Sequence, residues 1–180
     1  ICWVGVRNSG LQQWRLSGAT MQHVASYPIA GKHLGYSVYD IHRAGSTLYA
    51  GTSQGLYRLD AQGGGAVLRR IYPSGTQQGA PVPPFVVSSL CQSGRYLFAA
   101  TQDGLLRVDT RSGSLQLSHR GEKISHVAVY RRRLYITGHN TLYIEQTDGK
   151  RLATLDLLFT PTASYMAGRT LYLIGINHIV

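Results

Sequence analysis

The sequence predicts an all-β protein built from repeated four-stranded antiparallel sheets. First, three short strands joined by two tight turns at Val38–Asp60 return at Val87–Asp109 and, more loosely, at Ser125–Gln146. Second, no window shows a sustained apolar period of 3.6 residues with helix caps. Third, the chain is 43% hydrophobic and only 14% charged, with 21 Gly and 12 Tyr, which is typical of strands joined by glycine turns. Four-stranded units repeated about every 40 residues are the signature of a β-propeller.

An apolar pair opens the second strand of each unit and sets the register of the repeat. The pairs are Leu48-Tyr49, Leu97-Phe98, Leu134-Tyr135 and Leu171-Tyr172, which lie 49, 37 and 37 residues apart. The turn before each pair holds Gly45, Gly94, Arg131 or Gly168 at the same offset. Glycine suits that position because a tight hairpin needs a positive φ. The amino-terminal segment Cys2–Val6 aligns with Leu48–Thr52 in the same way.

A fourth strand follows the third in each whole unit, after a turn in which Asp precedes Gly. The predicted fourth strands are Ala66–Ile71, Ser114–Ser118 and Lys150–Leu155. We predict that 1–180 is part of one β-propeller, with three whole blades plus two partial ones, at approximately 1–24, 38–71, 86–118, 124–155 and 163–180. The two partial blades supply three strands each and cannot merge into one four-stranded blade. We therefore expect the chain to be part of a longer protein.

The longest connections and the cysteines carry few functional signals. Ala25–Tyr36 and Pro73–Val86 are either functional loops or tolerated insertions between units. Cys2 and Cys91 fall in units that are not neighbours, which favours free thiols over a disulfide. No apolar run is long enough to span a bilayer, so we expect no membrane insertion by this segment.

The ionisable residues do not form a pattern that indicates catalysis. Five of the eight acidic residues lie at turns or strand ends, where capping explains them: Asp60, Asp103, Asp109, Glu145 and Asp148. The seven histidines show no spacing suited to a metal, and Ser88-Ser89 lacks a nucleophile elbow. No helix follows Gly63-Gly64-Gly65, which predicts a hairpin turn there and not a phosphate loop. We predict that the chain is not an enzyme and holds no cofactor or metal.

Positive charge is the most informative chemical feature. Eighteen Lys and Arg against eight Asp and Glu give a net charge of +10. Arg95, Arg132 and Arg169 share one hairpin position, 37 residues apart each time. Since Arg offers a bidentate fork to sulfate, phosphate or carboxylate, we predict a basic arc that binds an anionic ligand. Its residues are Arg95, Arg131, Arg132, Arg133 and Arg169.

The basic arc and the matching aromatic residues each have an alternative interpretation. The alternative for the basic arc is a solvated surface that keeps the protein soluble. The matching aromatics, such as Tyr49 and Phe98, are best explained by packing between blades, with an aromatic lining for sugars as the alternative. Because they are strand residues and do not form an interleaved stacking platform, we expect no nucleic-acid binding.

Three segments resemble the two-component-regulator propeller repeat: LYAGTSQGLYRLD, ATQDGLLRVD and WVGVRNSGLQQW. In that repeat an apolar-aromatic pair leads through Gly-Thr into Gly-Leu and a strand that ends in Asp. The unit Ser125–Gln146 departs from the pattern, because Thr137-Gly138-His139-Asn140 replaces the Gly-Thr turn and Gln146 replaces the Asp. The usual Trp of the motif survives only as Trp3.

The resemblance implies an extracytoplasmic recognition module of a Bacteroidetes-type bacterium, located in the periplasm or at the cell surface. The best-known bearers are hybrid sensor histidine kinases, whose paired propellers sense glycan breakdown products. Similar repeats occur in a two-propeller surface protein linked to type IX secretion. The first function implied is therefore recognition of a glycan or other anionic ligand within a larger two-component sensor. The alternative is a structural or docking propeller of a surface or type IX secretion assembly.

The expected partners follow from the same resemblance and from the partial blades. They are an oligosaccharide or other anionic ligand, and the remaining blades or a second propeller of the parent protein. The resemblance carries no ligand-binding residue onto this chain.

Overall fold

A computed structural model describes residues 1–29, 36–62, 65–73 and 85–175. The chain divides into two compact units, Ile1–Val87 and Ser88–Val180, which we call the N-terminal and C-terminal units. All regular structure in the described ranges is β-strand. Consequently, none of these residues forms a helix that could cross a membrane.

The N-terminal unit contains two antiparallel sheets in chain order. The first has three strands: β1 (Cys2–Val6), β2 (Gly10–Ser17) and β3 (Thr20–Tyr27). The second has four: β4 (Val38–Ala44), β5 (Thr47–Thr52), β6 (Gly55–Gln62) and β7 (Gly65–Tyr72). A core that includes Leu11, Leu48, Ala50 and Leu68, with Trp3 packed against it, holds this unit together.

The C-terminal unit continues the pattern with three more sheets. The first consists of β8 (Val87–Ser93), β9 (Tyr96–Thr101), β10 (Gly104–Asp109) and β11 (Leu115–Ser118). The second consists of β12 (His126–Tyr130), β13 (Arg133–Thr137), β14 (Thr141–Gln146) and β15 (Arg151–Asp156). The third is the pair β16 (Pro161–Ala167) and β17 (Thr170–Gly175).

The predicted fold class is confirmed. Successive strands pair antiparallel in sheets of up to four, as in propeller blades, and no described sheet closes on itself. Three predicted features lie wholly or mostly outside the described residues: the strand at 178–180, the turn Gly63-Gly64-Gly65, and the two long connections. That 1–180 belongs to one propeller stays a prediction.

The predicted register of the repeat agrees with the structure. Leu48, Leu97 and Leu134 lie on β5, β9 and β13, the second strands of their sheets, and are at most 6% exposed. Leu171 takes the same place on β17 but is only half-buried. The turn residue before each pair has a positive φ: 64° at Gly45, 57° at Gly94, 48° at Arg131 and 57° at Gly168. Cys2 and Cys91 are free thiols.

Side chains alternate between the two faces of each strand, so neighbouring sheets share an apolar core. In the C-terminal unit, Phe98 and Ala100 project from one face of β9 into a cluster formed with the following sheet. That sheet contributes Val127, Leu134 and Ile136. Phe98 is 2% exposed, and Tyr49, at the same repeat position in the other unit, is also 2% exposed. The packing explanation for these aromatics therefore fits their burial.

Candidate anion-binding site

The hairpins between first and second strands place the predicted arginines at equivalent positions in the C-terminal unit. Each of these turns has two residues, Gly94-Arg95, Arg131-Arg132 and Gly168-Arg169, between strands that end and begin in matching places. Arg95, Arg132 and Arg169 are all exposed at the second turn position. Arg131 and Arg133 flank Arg132 and are exposed too.

The turn between the third and fourth strands lies against this hairpin. In the sheet β8–β11, the backbone N–H of Thr110 donates to the carbonyl oxygen of Arg95 at 2.9 Å. In the sheet β12–β15, the N–H of Thr147 donates to the carbonyl oxygen of Arg132 at 3.1 Å. Both turns of each sheet therefore meet at the same end, and side chains of the second turn can reach the arginines of the first.

In the sheet β8–β11, Arg95 already has an anionic partner. Its Nη2 lies 3.1 Å from Oδ2 of Asp109, and its guanidinium Cζ lies 5.0 Å from the centre of the Tyr96 ring. The other carboxylate oxygen of Asp109 accepts hydrogen bonds from the backbone N–H groups of Arg111 at 3.0 Å and Ser112 at 3.3 Å. The pKa of Asp109 is lower than usual, chiefly because of the hydrogen bond from the Arg111 N–H. The hydrogen bond from Ser112 and the charge of Arg95 lower it further. The carboxylate thus compensates the charge of Arg95 at neutral pH.

In the sheet β12–β15, Gln146 takes the place of Asp109. Both residues end the third strand of their sheet and lie 37 positions apart. Both carbonyl oxygens accept a backbone N–H from the following turn: that of Asp109 from Gly113, four residues on, at 2.8 Å, and that of Gln146 from Gly149, three residues on, at 2.9 Å. The side chain differs, because Gln146 carries no negative charge.

Arg131, Arg132 and Arg133 consequently have no carboxylate partner among the described residues. They line an open cleft of about 320 Å³ together with Gln146, Thr147 and Asp148. Asp148 is the one carboxylate in that lining, and its Oδ1 accepts the backbone N–H of Lys150 at 3.0 Å. We call this the arginine cleft.

The arginine cleft has the chemistry of an oxyanion site. Three guanidiniums can donate in pairs to the oxygens of a sulfate, phosphate or carboxylate, and the Gln146 amide and Thr147 hydroxyl add further donors. The lining is positive overall, since three guanidiniums face one carboxylate. The repeat register in the sequence predicts these arginines. In the sequence, Gln146 is visible only as a departure from the motif, whereas in the structure it is the change that removes the internal carboxylate partner.

A second charged cluster joins the segment after β11 to the following sheet, and no pattern in the sequence predicts it. The sequence assigns Glu145 to strand-end capping, and that interpretation is wrong. Its Oε1 lies 3.1 Å from Nε2 of His119 and accepts a hydrogen bond from Nε of Arg151 at 2.6 Å. The side chains of His119 and Glu145 are only 4% and 7% exposed. No short-range spacing marks this pair, because its members are 26 residues apart.

Aromatic and acidic neighbours surround that pair. The Tyr143 ring centre lies 4.8 Å from that of His119, and Cζ of Arg151 lies 4.3 Å from the Tyr143 ring centre. The Tyr143 hydroxyl donates to Oε2 of Glu122 at 2.7 Å. Burial raises the pKa of Glu145, but the hydrogen bonds and charges of His119 and Arg151 outweigh burial and hold that pKa below its usual value. The charged carboxylate therefore ties the segment after β11 to the following sheet.

No metal-binding group is visible in the parts of the chain that the structure describes. Nowhere in these ranges do three or more His, Cys, Asp or Glu side chains come together as a metal site requires.

A scan against protein-family models found no match, and no curated protein sequence matches the chain. Solved structures, in contrast, share its fold. The extracellular domain of the putative one component system BT4673 from B. thetaiotaomicron matches at a TM-score of 0.71 and 15% identity, over 96% of this chain and 24% of that one. BamB from Moraxella catarrhalis matches at a TM-score of 0.67 and 12% identity, over 96% of this chain and 51% of BamB.

The computationally designed Ika8 protein is similar as well, at a TM-score of 0.65 and 13% identity, over 95% of this chain and 51% of Ika8. The BT4673 domain is also described as that of a putative hybrid two component system. The chain thus spans about a quarter of the BT4673 domain and about half of BamB and Ika8. At these identities the likeness shows the fold.

Proposed function

We propose that this chain is part of an extracytoplasmic ligand-recognition module, in the periplasm or at the cell surface, and that it binds an anionic oligosaccharide for a larger two-component sensor. The observation that carries the proposal is the arginine cleft, in which Arg131, Arg132 and Arg133 lack a carboxylate partner among the described residues. The fold supports the sensor context, since the BT4673 extracellular domain shares it.

The physical case for an anionic ligand rests on several guanidiniums acting together. An exposed ion pair contributes only about 0–1 kcal/mol, so a single surface arginine would not give useful affinity. The arginine cleft holds three guanidiniums, and Arg169 occupies the equivalent hairpin position in the following sheet. A surface of one sign also raises the local concentration of an oppositely charged ligand and speeds its association. A sulfated or carboxylated oligosaccharide matches this charge.

The first test is titration of heparin-derived and neutral oligosaccharides by calorimetry at two salt concentrations. We expect the sulfated sugar to bind and the neutral one not to bind. Affinity should fall steeply with salt, because the Debye length shrinks from about 10 Å at 0.1 M to about 3 Å at 1 M. Replacing Arg95, Arg132 and Arg169 together by Gln should weaken binding by roughly tenfold, from a few contacts of at most about 1 kcal/mol each.

The matched control is the double replacement of Arg69 and Arg70 by Gln on β7, in the N-terminal unit. It removes two arginine charges from a strand outside the basic arc, and it should change binding much less. Equal binding of neutral sugars, or an unchanged triple variant, would show that the basic arc is only a solvated surface.

A docking function is the second candidate, and the exposed face of β16–β17 favours it. Tyr165 and Tyr172 are directly paired across the two strands and are 66% and 53% exposed, and Ile174 is 57% exposed. Tyr172 and Ile174 correspond by two repeats of 37 residues to Phe98 and Ala100, which are 2% and 0% exposed. Phe98 is buried in a cluster with Val127, Leu134 and Ile136 of the following sheet. The occupant that fits the exposed face is therefore another sheet of the same repeat, which would present aliphatic residues in the same way.

This candidate predicts that the chain associates with itself through that face. An exposed apolar patch favours association, and a second copy carries sheets of the required kind. Light scattering after size exclusion should show a mass that rises with concentration. The double variant Tyr172→Lys and Ile174→Lys should remain monomeric. The matched control, Leu152→Lys with Leu155→Lys on β15, also replaces two exposed apolar side chains and should associate like the original chain. A concentration-independent monomer would contradict the docking function.

A further inference from the structure

We infer that the exchange of an aspartate for Gln146 makes the arginine cleft a subsite for one oxyanion group, sulfate or phosphate, which occupies the place that the protein's own carboxylate holds in the preceding sheet. This inference rests on the proposed function and narrows it from an arc of hairpins to a single cleft.

The two sheets bring the end of the third strand to the same place beside the first hairpin, since Asp109 pairs with Tyr96 and Gln146 pairs with Arg133, 37 residues later. The turn that follows is one residue shorter after Gln146. In both, the carbonyl oxygen of the second hairpin residue accepts the N–H of the residue 15 positions later, at 2.9 Å for Arg95 and 3.1 Å for Arg132. In both, the last residue of the third strand closes the following turn with its own carbonyl oxygen. A carboxylate at position 146 would therefore lie at the end of its strand next to the hairpin of Arg132, the strand position from which Asp109 contacts Arg95.

Asp109 shows where an anion binds in this arrangement. Its Oδ2 lies 3.1 Å from Nη2 of Arg95, within hydrogen-bonding distance. The carboxylate is already occupied by that arginine and by two backbone N–H groups. An added anion would have to compete with it, so the charge of Arg95 offers little to a ligand.

An acidic residue is present at this repeat position in the other two whole units, and arginine binds it there. In the N-terminal unit, Asp60 lies 49 residues before Asp109, which is the spacing of the repeat there. Its carboxylate is bound by Arg58 at 2.5 Å and approached by Arg69 at 3.5 Å. The unit that ends its third strand at Gln146 therefore lacks this internal anion, and its hairpin carries three consecutive arginines.

A sulfate or phosphate ester fits the arginine cleft better than a carboxylate does. Its three free oxygens can accept more of the N–H and O–H groups that line the cleft than the two oxygens of a carboxylate can. The carboxylate of Asp148 is turned to the N–H of Lys150 and leaves the guanidiniums available. The sulfated or phosphorylated position of a sugar is the chemistry that this subsite fits.

Two opposite substitutions test the inference, with a heparin-derived tetrasaccharide as the probe in calorimetry. Gln146→Asp supplies the missing carboxylate, and binding should weaken at least tenfold. Asp109→Asn removes the charge that compensates Arg95 but keeps a side-chain oxygen for the N–H groups of Arg111 and Ser112, and binding should strengthen or gain a second site. Gln22→Asp, on the exposed face of β3, is the control for net charge and should bind within about twofold of the original chain. Inorganic phosphate and sulfate should compete for the subsite.

The outcomes separate the inference from the proposed function. If the original chain does not bind the tetrasaccharide, the proposed function fails. If the original chain binds but Gln146→Asp and Gln22→Asp bind equally well, the function stands and the subsite is wrong. Thermal melting checks that each variant is folded. Should Gln146→Asp be unfolded, Arg132→Gln is the second variant, and unchanged binding by a folded Arg132→Gln overturns the subsite.

Discussion

Replacement of Gly104 by alanine should cost the protein about 3 kcal/mol or more of unfolding free energy, a large loss for a single substitution. Gly104 begins β10 with a φ of 138°, a region that L residues rarely adopt. A Cβ there would lie 2.4 Å from the carbonyl oxygen of Ser118 and 3.0 Å from that of His119. Both are backbone atoms beside the β10–β11 ladder, so relief of the collision must disturb strand pairing.

Gly94→Ala is the matched control, because it lies in the same sheet and also has a positive φ. At Gly94 the φ is 57° and an added Cβ would meet no atom within 4 Å. The cost is then only that of a left-handed residue, about 1 kcal/mol. Urea denaturation of both variants measures the difference. Equal losses would mean that the close approach of Ser118 does not constrain this turn.

Replacement of Glu145 by glutamine should lower the free energy of unfolding by about 1–3 kcal/mol at neutral pH, the range for weakening buried hydrogen bonds that involve a charged group. The new amide would still offer an oxygen to His119 and Arg151, but without the charge that strengthens both contacts. His119 is nearly inaccessible to water and could not replace the lost contact by hydration. Urea denaturation at pH 7 measures the loss.

The effect of Glu145→Gln should also depend on pH, with a defined sign. The folded state holds the pKa of Glu145 below its usual value, so the carboxylate is more acidic in the folded than in the unfolded chain. Its contribution to stability is therefore complete above the unfolded pKa, about 4.3, and is lost as the pH falls through the folded value. The difference in unfolding free energy between the original chain and Glu145→Gln should shrink as the pH falls below about 4.

Glu122→Gln provides the control for this second prediction. Glu122 accepts a hydrogen bond from Tyr143 in the same cluster, but its side chain is 47% exposed. Solvent screens its charge, and the loss should stay below about 1 kcal/mol. A pH-independent difference for Glu145→Gln, or an equal loss for both variants, would show that the buried pair does not stabilise the fold.

Local signals in the sequence are enough to predict the strands. The fourth strand predicted at Ala66–Ile71 lies within β7, Gly65–Tyr72, and the one predicted at Lys150–Leu155 is β15, Arg151–Asp156, one residue later. Such accuracy has a local cause: a positive φ at Gly45 or Gly94 and an alternation of apolar residues act over only a few positions. Because the repeat spacing is a regular 37 residues, the register of one sheet predicts the register of the next. The same spacing predicts that Arg95, Arg132 and Arg169 occupy equivalent positions.

Tertiary structure alone decided which of those arginines has an internal partner. Asp109 reaches Arg95 across 14 positions because the two turns of one sheet fold to the same end, and in the next sheet Gln146 leaves three arginines without a carboxylate among the described residues. The pair of His119 and Glu145 joins the segment after β11 to β14, across 26 positions. Backbone conformation follows from neighbours in sequence, whereas the partner of a charged side chain follows from what the folded chain brings within about 4 Å of it.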